Sequence, residues 1–184
     1  MEKTETGYND MQTVKRRFFA MRNGIIADTL RKGGSPFRII FGLNLPQLVE
    51  IAATSPHTAD FAQSLWNNSS TRESMLMAPM LYPHDEFDIA TAREWIGMIP
   101  VCEVADILCH RLLRHLPFAM ELAAELCLSK KDMARYTGLR LYFNLVHTHP
   151  GEALEAARNE LNTPSALTER LATQLFDEAS FCLE

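Results

Sequence analysis

The chain has 184 residues, 47% of them hydrophobic and 22% charged, enough to bury a real core and ordinary for a soluble globular protein. No run approaches the roughly 18 to 20 apolar residues of a membrane span, and the polar, partly acidic start "MEKTETGYND" is not a secretory signal; the expectation is a single cytoplasmic domain, 1–184, with no membrane partner. The net charge of −5 is uneven: residues 1–43 carry Lys3, Lys15, Arg16, Arg17, Arg22, Arg31, Lys32 and Arg38 against Glu2, Glu5, Asp10 and Asp28, a balance of +4 that leaves −9 on the other 141 residues. The first segment is therefore the expected electrostatic footprint of any polyanion, and the acidic remainder argues against strong nonspecific nucleic-acid binding.

In chain order, the first predicted element is a helix from about Asn9 to Leu30, because Met11, Val14, Phe18, Met21 and Ile25 recur at spacings of three and four. Gly33 and Gly34 end it. "SPFRIIFGLN" is short and apolar and reads as an extended, packed connector, since no partner strand is evident. Asn44 caps a helix with Pro46 in its first turn, ending near Thr54. Pro56 resets the chain, and a helix from about Thr58 to Trp66 follows. Ser70 and Glu73 have the spacing of a capping box ahead of "SMLMAPMLY", where Pro79 should kink or shorten the helix. After the loop "PHDEFD", Asp88 starts the helix that leads to Trp95. Pro100 separates it from a helix over 101–115. Pro117 opens another to about Leu128, and Ser129 caps one from Lys130 to about Val146. Pro150 and Pro164 open the last two.

The pattern amounts to about ten helices joined by short connectors, with almost no strand-type alternation, which predicts an all-α fold of HEAT type, an irregular α-solenoid of antiparallel-paired helices. A helical bundle is the competing arrangement. The basic helix and connector occupy 1–43, and the HEAT-like helices occupy 44–184.

Within "WIGMIPVCEVADILCHRLLRHLPF", residues 95–118, Glu103 and Asp106 interrupt an apolar helix and share one face with His110, at spacings of three and four. Two readings fit this polar strip. Either it is a solvated edge with Asp106 paired to Arg140, to His110 or to a helix N-terminus, or it turns a carboxylate toward a binding groove.

Three stretches carry a family resemblance. "FGLNLPQLVEIA", then "ADFAQSLWNNSSTRESMLMAPML", then "EWIGMIPVCEVADILC" follow one another in an order and spacing that resemble the AlkD-like DNA alkylation repair glycosylases, from about Phe41 to Pro150. The resemblance implies HEAT-like repeats whose concave surface faces duplex DNA. It also implies a role for Asp106: stabilising positive charge on the deoxyribose as an alkylated base departs, and helping to position water. Cleaving an N-glycosidic bond produces an oxocarbenium-like sugar, which a nearby anion stabilises. The chain departs from the family at the aromatic platform. Cys102 stands where the family has a tryptophan four residues before that Asp, and Arg140 or Leu141 stands where a second is expected. Arg72 and Ser74 replace a Glu and an Arg of the family.

Other groups are weaker signals. Lys15, Arg16, Arg17 and Arg22 flank the apolar stripe of the first helix and form either a solvated face or phosphate contacts. Arg111 and Arg114, with His110 and His115, sit late in their helix, where cations favour the C-terminal end; Arg111, Arg114 and Arg140 are further candidate DNA contacts. His147, His149 and Glu152 in "HTHPGE" read as a capped loop. Cys102, Cys109, Cys127 and Cys182 have no C-x-x-C spacing, so neither a disulfide framework nor a metal site is expected, and no cofactor. Trp66 and Trp95 read as core anchors, and "RKGGSPF" is a turn, not a phosphate loop. Two functions remain: a DNA alkylation repair-like protein that binds duplex DNA and excises alkylated bases or has lost that activity, and a noncatalytic α-solenoid that binds a protein partner.

Overall fold

The computed structural model describes residues 3–184, with side chains from Asp10 onward, so Glu2, Lys3 and Glu5 of the charge count lie outside the described side chains. Among the described residues the chain is all-α: eleven α-helices, one short 3-10 turn and no strand, only an isolated parallel bridge between Ile39 and Thr71. It divides into two units, Met1–Phe87 and Asp88–Glu184.

The first unit holds α1 (Lys3–Ala20), α2 (Gly24–Lys32), α3 (Leu45–Ala52), α4 (Ala59–Asn67) and α5 (Arg72–Leu81). The expected single helix from Asn9 to Leu30 is two helices. The chain turns at Asn23, whose side chain accepts from the Ile25 and Ile26 N–H groups at 3.1 and 3.2 Å and starts α2. Its own N–H donates to Phe41 O at 2.8 Å. The apolar stripe therefore ends early: Val14 and Phe18 are buried, whereas Ile25 is 82% exposed. The connector to α3 is extended, as its sequence suggested, and buries Phe37, Ile40 and Leu43. Asn44 caps α3 with a complete capping box, exchanging bonds with Gln47 at 3.0 Å each way.

The expected box at Ser70 and Glu73 does not form. Thr71 is the N-cap of α5 and makes no side-chain cap bond. Glu73 turns inward instead, fully buried, and accepts from the backbone N–H groups of Phe41 and Gly42 at 3.1 and 2.9 Å and from Arg72 at 2.9 Å. Arg72 also donates to Leu43 O at 3.1 Å. Buried charge is tolerated here because each partner is hydrogen-bonded. Gly42 makes the clamp possible: its φ is +80°, and a Cβ there would lie 2.2 Å from Asn23 O. Pro79 sits inside α5, which ends two residues later. α4 and α5 pack on one another around Phe61, Leu65, Trp66, Met75 and Leu76.

The second unit holds α6 (Ile89–Gly97), α7 (Cys102–Arg111), the 3-10 turn Leu113–His115, α8 (Ala119–Cys127), α9 (Asp132–Leu145), α10 (Pro150–Asn162) and α11 (Glu169–Leu183). Asp88 caps α6 through the Thr91 N–H at 2.7 Å, and that bond holds its carboxyl below the usual range. The expected helix over 101–115 breaks at Leu112 (φ −128°, ψ −66°) before the 3-10 turn. Ser129 accepts from the Lys131 N–H and closes the turn ahead of α9 rather than capping it; Lys131 is the N-cap. Likewise Pro164 precedes a turn closed by Thr168, and α11 starts only at Glu169.

The central helix of this unit is α9, packed against α7, α8, α10 and α11. The consecutive pairs α8–α9 and α10–α11 lie against each other, the contact that a helical-repeat reading requires. Gly138 sets how close α8 comes, since a Cβ there would lie 2.9 Å from both Ala123 O and Cys127 Sγ. At the α8–α10 side of α9, the buried Glu160 receives Arg135 Nε at 3.1 Å and the Thr168 hydroxyl.

Candidate functional site

Asp106 lies in the middle of α7 and faces α9. Its Oδ1 lies 2.7 Å from Arg140 Nε in an ion pair and accepts the Tyr136 hydroxyl at 2.9 Å, and Arg140 Nη2 in turn donates to Tyr136 Oη at 3.1 Å. Tyr136 and Arg140 are four apart on α9, one turn of the same face. The three groups close a triangle of one ion pair and two hydrogen bonds, in which Arg140 Nε is buried against the carboxylate without a well-directed hydrogen bond. Of the partners open to Asp106 from sequence, Arg140 is the one observed; His110 Nδ1 lies 3.1 Å from Asn144 Oδ1 instead.

The electrostatics follow from this packing. Burial pushes the Tyr136 phenol well up, with the Asp106 charge adding to it against the opposing bond from Arg140, so it stays protonated as the donor. For Arg140, burial works against the charge, but the bonds to Tyr136 and the Asp106 carboxylate outweigh it and raise its pKa. Cys102 starts α7 beside this triangle, and burial, with the Asp106 charge, pushes its thiol up, so it is not a thiolate nucleophile at neutral pH. Cys109 is fully buried with its thiol raised, and Cys127 is pushed up to about 12, both by burial. Glu103 is half-buried one turn from Asp106.

The second of the two positions left open for the family's missing tryptophan, Leu141, is fully buried in the core, so Arg140 is the one that meets Asp106. Sequence reasoning missed Tyr136. The signal was there: it stands four residues before Arg140 in "RYTGLR". Trp66 and Trp95 are both buried, as core anchors.

The candidate DNA contacts separate into distinct settings. In the first unit, Arg16 is exposed and Lys15 half-buried on α1, and the Arg22 guanidinium stacks on the Phe19 ring, 3.8 Å from its centroid. Arg17 points elsewhere: its Nη1 donates to Ile51 O at 3.2 Å and to the Thr54 hydroxyl. In the second unit, Arg114 Nε donates to His115 at 3.2 Å, Arg111 is half-buried at the end of α7, and Arg140 is held by Asp106.

The loop "HTHPGE" meets α11. His149 lies 3.7 Å from Glu152, while His147 places Nδ1 3.3 Å from Cys182 Sγ and Nε2 3.8 Å from Glu178 Oε1. The donor atoms of His147, Glu178 and Cys182 lie within 4.8 Å of one another. Because Cys182 and Glu178 approach opposite nitrogens of the ring, a single ion would require one of them to change rotamer.

The family model of the DNA alkylation repair enzymes matches residues 14–178. The chain belongs to that family. The match extends the resemblance seen in sequence on both sides, into the second half of α1 and into α11. A solved structure described as "a new family of proteins related to the HEAT-like repeat DNA glycosylases with affinity for branched DNA structures" superposes with a TM-score of 0.81 at 13% identity, over 94% of this chain and 76% of that one. The fold of this DNA alkylation repair family member is therefore HEAT-like. None of the curated proteins matches the chain.

Proposed function

We propose that this protein binds DNA, with a preference for branched over plain duplex structure, and does not excise alkylated bases. The observation that carries the reading is the Asp106–Arg140–Tyr136 triangle. A carboxylate stabilises an oxocarbenium-like sugar through its uncompensated charge, and here that charge is met by a guanidinium at 2.7 Å and a phenol at 2.9 Å. Cys102, small and without a π-face, stands where the family's indole would be. Stacking of that kind is worth about 1–3 kcal/mol per base. DNA binding is supported by family membership and by the cations Lys15, Arg16 and Arg22 on the first unit; the branched preference is carried over from the affinity stated for the structural neighbour.

The test pairs two measurements on the wild-type protein and on Asp106→Asn: release of methylated purine from alkylated duplex, and binding to a blunt duplex and to a branched DNA of the same sequence. The expected result is tighter binding of the branched DNA, no base release by either protein, and a loss of about 1 kcal/mol or less in the stability of the variant, since the ion pair is partly exposed. Base release by the wild type that the variant lacks would restore Asp106 as the charge stabiliser and overturn the reading. Absence of any DNA binding would favour the protein-partner function, to which the acidic remainder of the chain is suited.

A further inference from the structure

Phe19 is 57% exposed near the end of α1, although the buried stripe of that helix runs through Val14 and Phe18 on the other side. A lone exposed aromatic is ordinary; the surroundings of this one are not. Phe19 and Phe41 line two neighbouring clefts of the first unit, of about 380 and 570 Å³. Arg22, Arg31 and Arg38 line the first cleft, Lys15 and Arg16 the second, and among the described residues no carboxylate lines either. Lys15, Arg16 and Arg38 make no ion pair among the described residues, whereas Arg31 is paired with Asp28.

Arg22 steadies the ring. It donates to Phe19 O at 2.8 Å and lies over the ring at 3.8 Å. Because Arg22 lines the first cleft and not the second, the second keeps ring surface that the guanidinium does not cover. An exposed ring flanked by cations on both sides is the arrangement that binds single-stranded nucleic acid: the base stacks on the ring and the flanking phosphates meet the cations. A B-form duplex offers only its phosphates, because its bases are already stacked on one another. A branch point or a flap supplies unpaired bases together with the same phosphates.

We infer that Phe19 is the stacking platform for an unpaired nucleotide at a DNA branch, with Lys15, Arg16 and Arg38 holding its phosphates. The assignment rests on the DNA-binding reading above and supplies the physical source of a branched preference. The charges set the affinity for every DNA, and the ring sets the discrimination among them.

The test measures affinity by fluorescence anisotropy, over a range of salt, for a blunt duplex and for the same duplex with a short single-stranded flap. Phe19→Ala should weaken flap binding about 5- to 100-fold, the range that base–aromatic stacking supports, and change duplex binding less than about twofold. Its salt slope should stay that of the wild type, because no phosphate contact is removed. Phe19→Trp should retain the flap preference. A combined Lys15→Ala, Arg16→Ala, Arg38→Ala variant should lose affinity for both probes and show a flatter slope. With 5-iododeoxyuridine at the unpaired position, photocrosslinking should label the peptide that contains Phe19. A wild type that binds both probes equally, or a Phe19→Ala variant that binds both as the wild type does or loses both alike, overturns the Phe19 assignment while leaving DNA binding in place. A wild type that binds neither probe overturns the DNA-binding reading and this assignment with it.

Discussion

At the scale of single residues, Glu73 shows how one side chain can be named from sequence and still be misplaced. Its spacing from Ser70 fits a capping box, but a carboxylate at that position has a stronger use. The turn at Asn23 and the left-handed Gly42 expose backbone N–H groups of the connector that no helix or strand satisfies, and Glu73 collects them. A buried N–H left unpaired costs more than a missing cap. The expected consequence is a loss of about 3–5 kcal/mol for Glu73→Ala, because a buried ion pair is broken and the Phe41 and Gly42 N–H groups lose their acceptor. Urea unfolding followed by circular dichroism checks it; a loss below about 1 kcal/mol would mean that Arg72 finds compensation elsewhere. Asp106 was more legible. Its spacing and type marked it, Arg140 was among its possible partners, and Tyr136, four residues before Arg140 on the same helix face, follows from that pairing, a step that sequence reasoning missed. The clefts around Phe19 were illegible: they depend on a connector about 20 residues away folding back onto α1.

Among the elements, helix type was readable almost everywhere and helix ends were not. Pro46, Pro150, Asn44, Thr58 and Asp88 mark real starts because their chemistry is local: a missing donor, or a side chain that reaches an N–H two or three residues on. The failures are at Asn23, Leu112 and the approach to α9 and α11, where contacts distant in sequence decide. Asn23 breaks the first helix because its N–H is claimed by Phe41, which no periodicity can reveal. Real and apparent caps should therefore differ in energy. Asn44→Ala removes the side-chain acceptor of a formed box, leaving the backbone N–H bond to Gln47 in place, and should cost about 1 kcal/mol. Ser70→Ala removes a hydroxyl that caps nothing, and should cost less than about 0.5 kcal/mol. Thermal unfolding of the two variants side by side measures the difference, and equal losses would return Ser70 to a capping role.

For the molecule as a whole, the uneven charge remains the guide to how DNA could be bound. Residues 1–43 carry +4 and the other 141 carry −9, so a polyanion is drawn to one segment and repelled by the average of the rest. The four cations along the first helix pattern do not act together, however. Arg16 is exposed and Lys15 half-buried, neither in an ion pair among the described residues, whereas Arg17 reaches across to Ile51 O and Thr54 beyond the end of α3. Affinity for any DNA should fall steeply with salt, because each bound phosphate releases counterions, and removing one cation from a phosphate should flatten the logarithmic slope by about one. Lys15→Ala and Arg16→Ala should each do so with little effect on stability. Arg17→Ala should leave the slope as it is and lower the unfolding midpoint, since it removes a tie between α1 and the end of α3 rather than a bond to phosphate. Anisotropy titrations at several salt concentrations, paired with urea unfolding of the same three variants, separate the two roles. A slope that flattens for Arg17→Ala with unchanged stability would place Arg17 on the DNA and would show that its bonds to Ile51 and Thr54 give way when DNA binds.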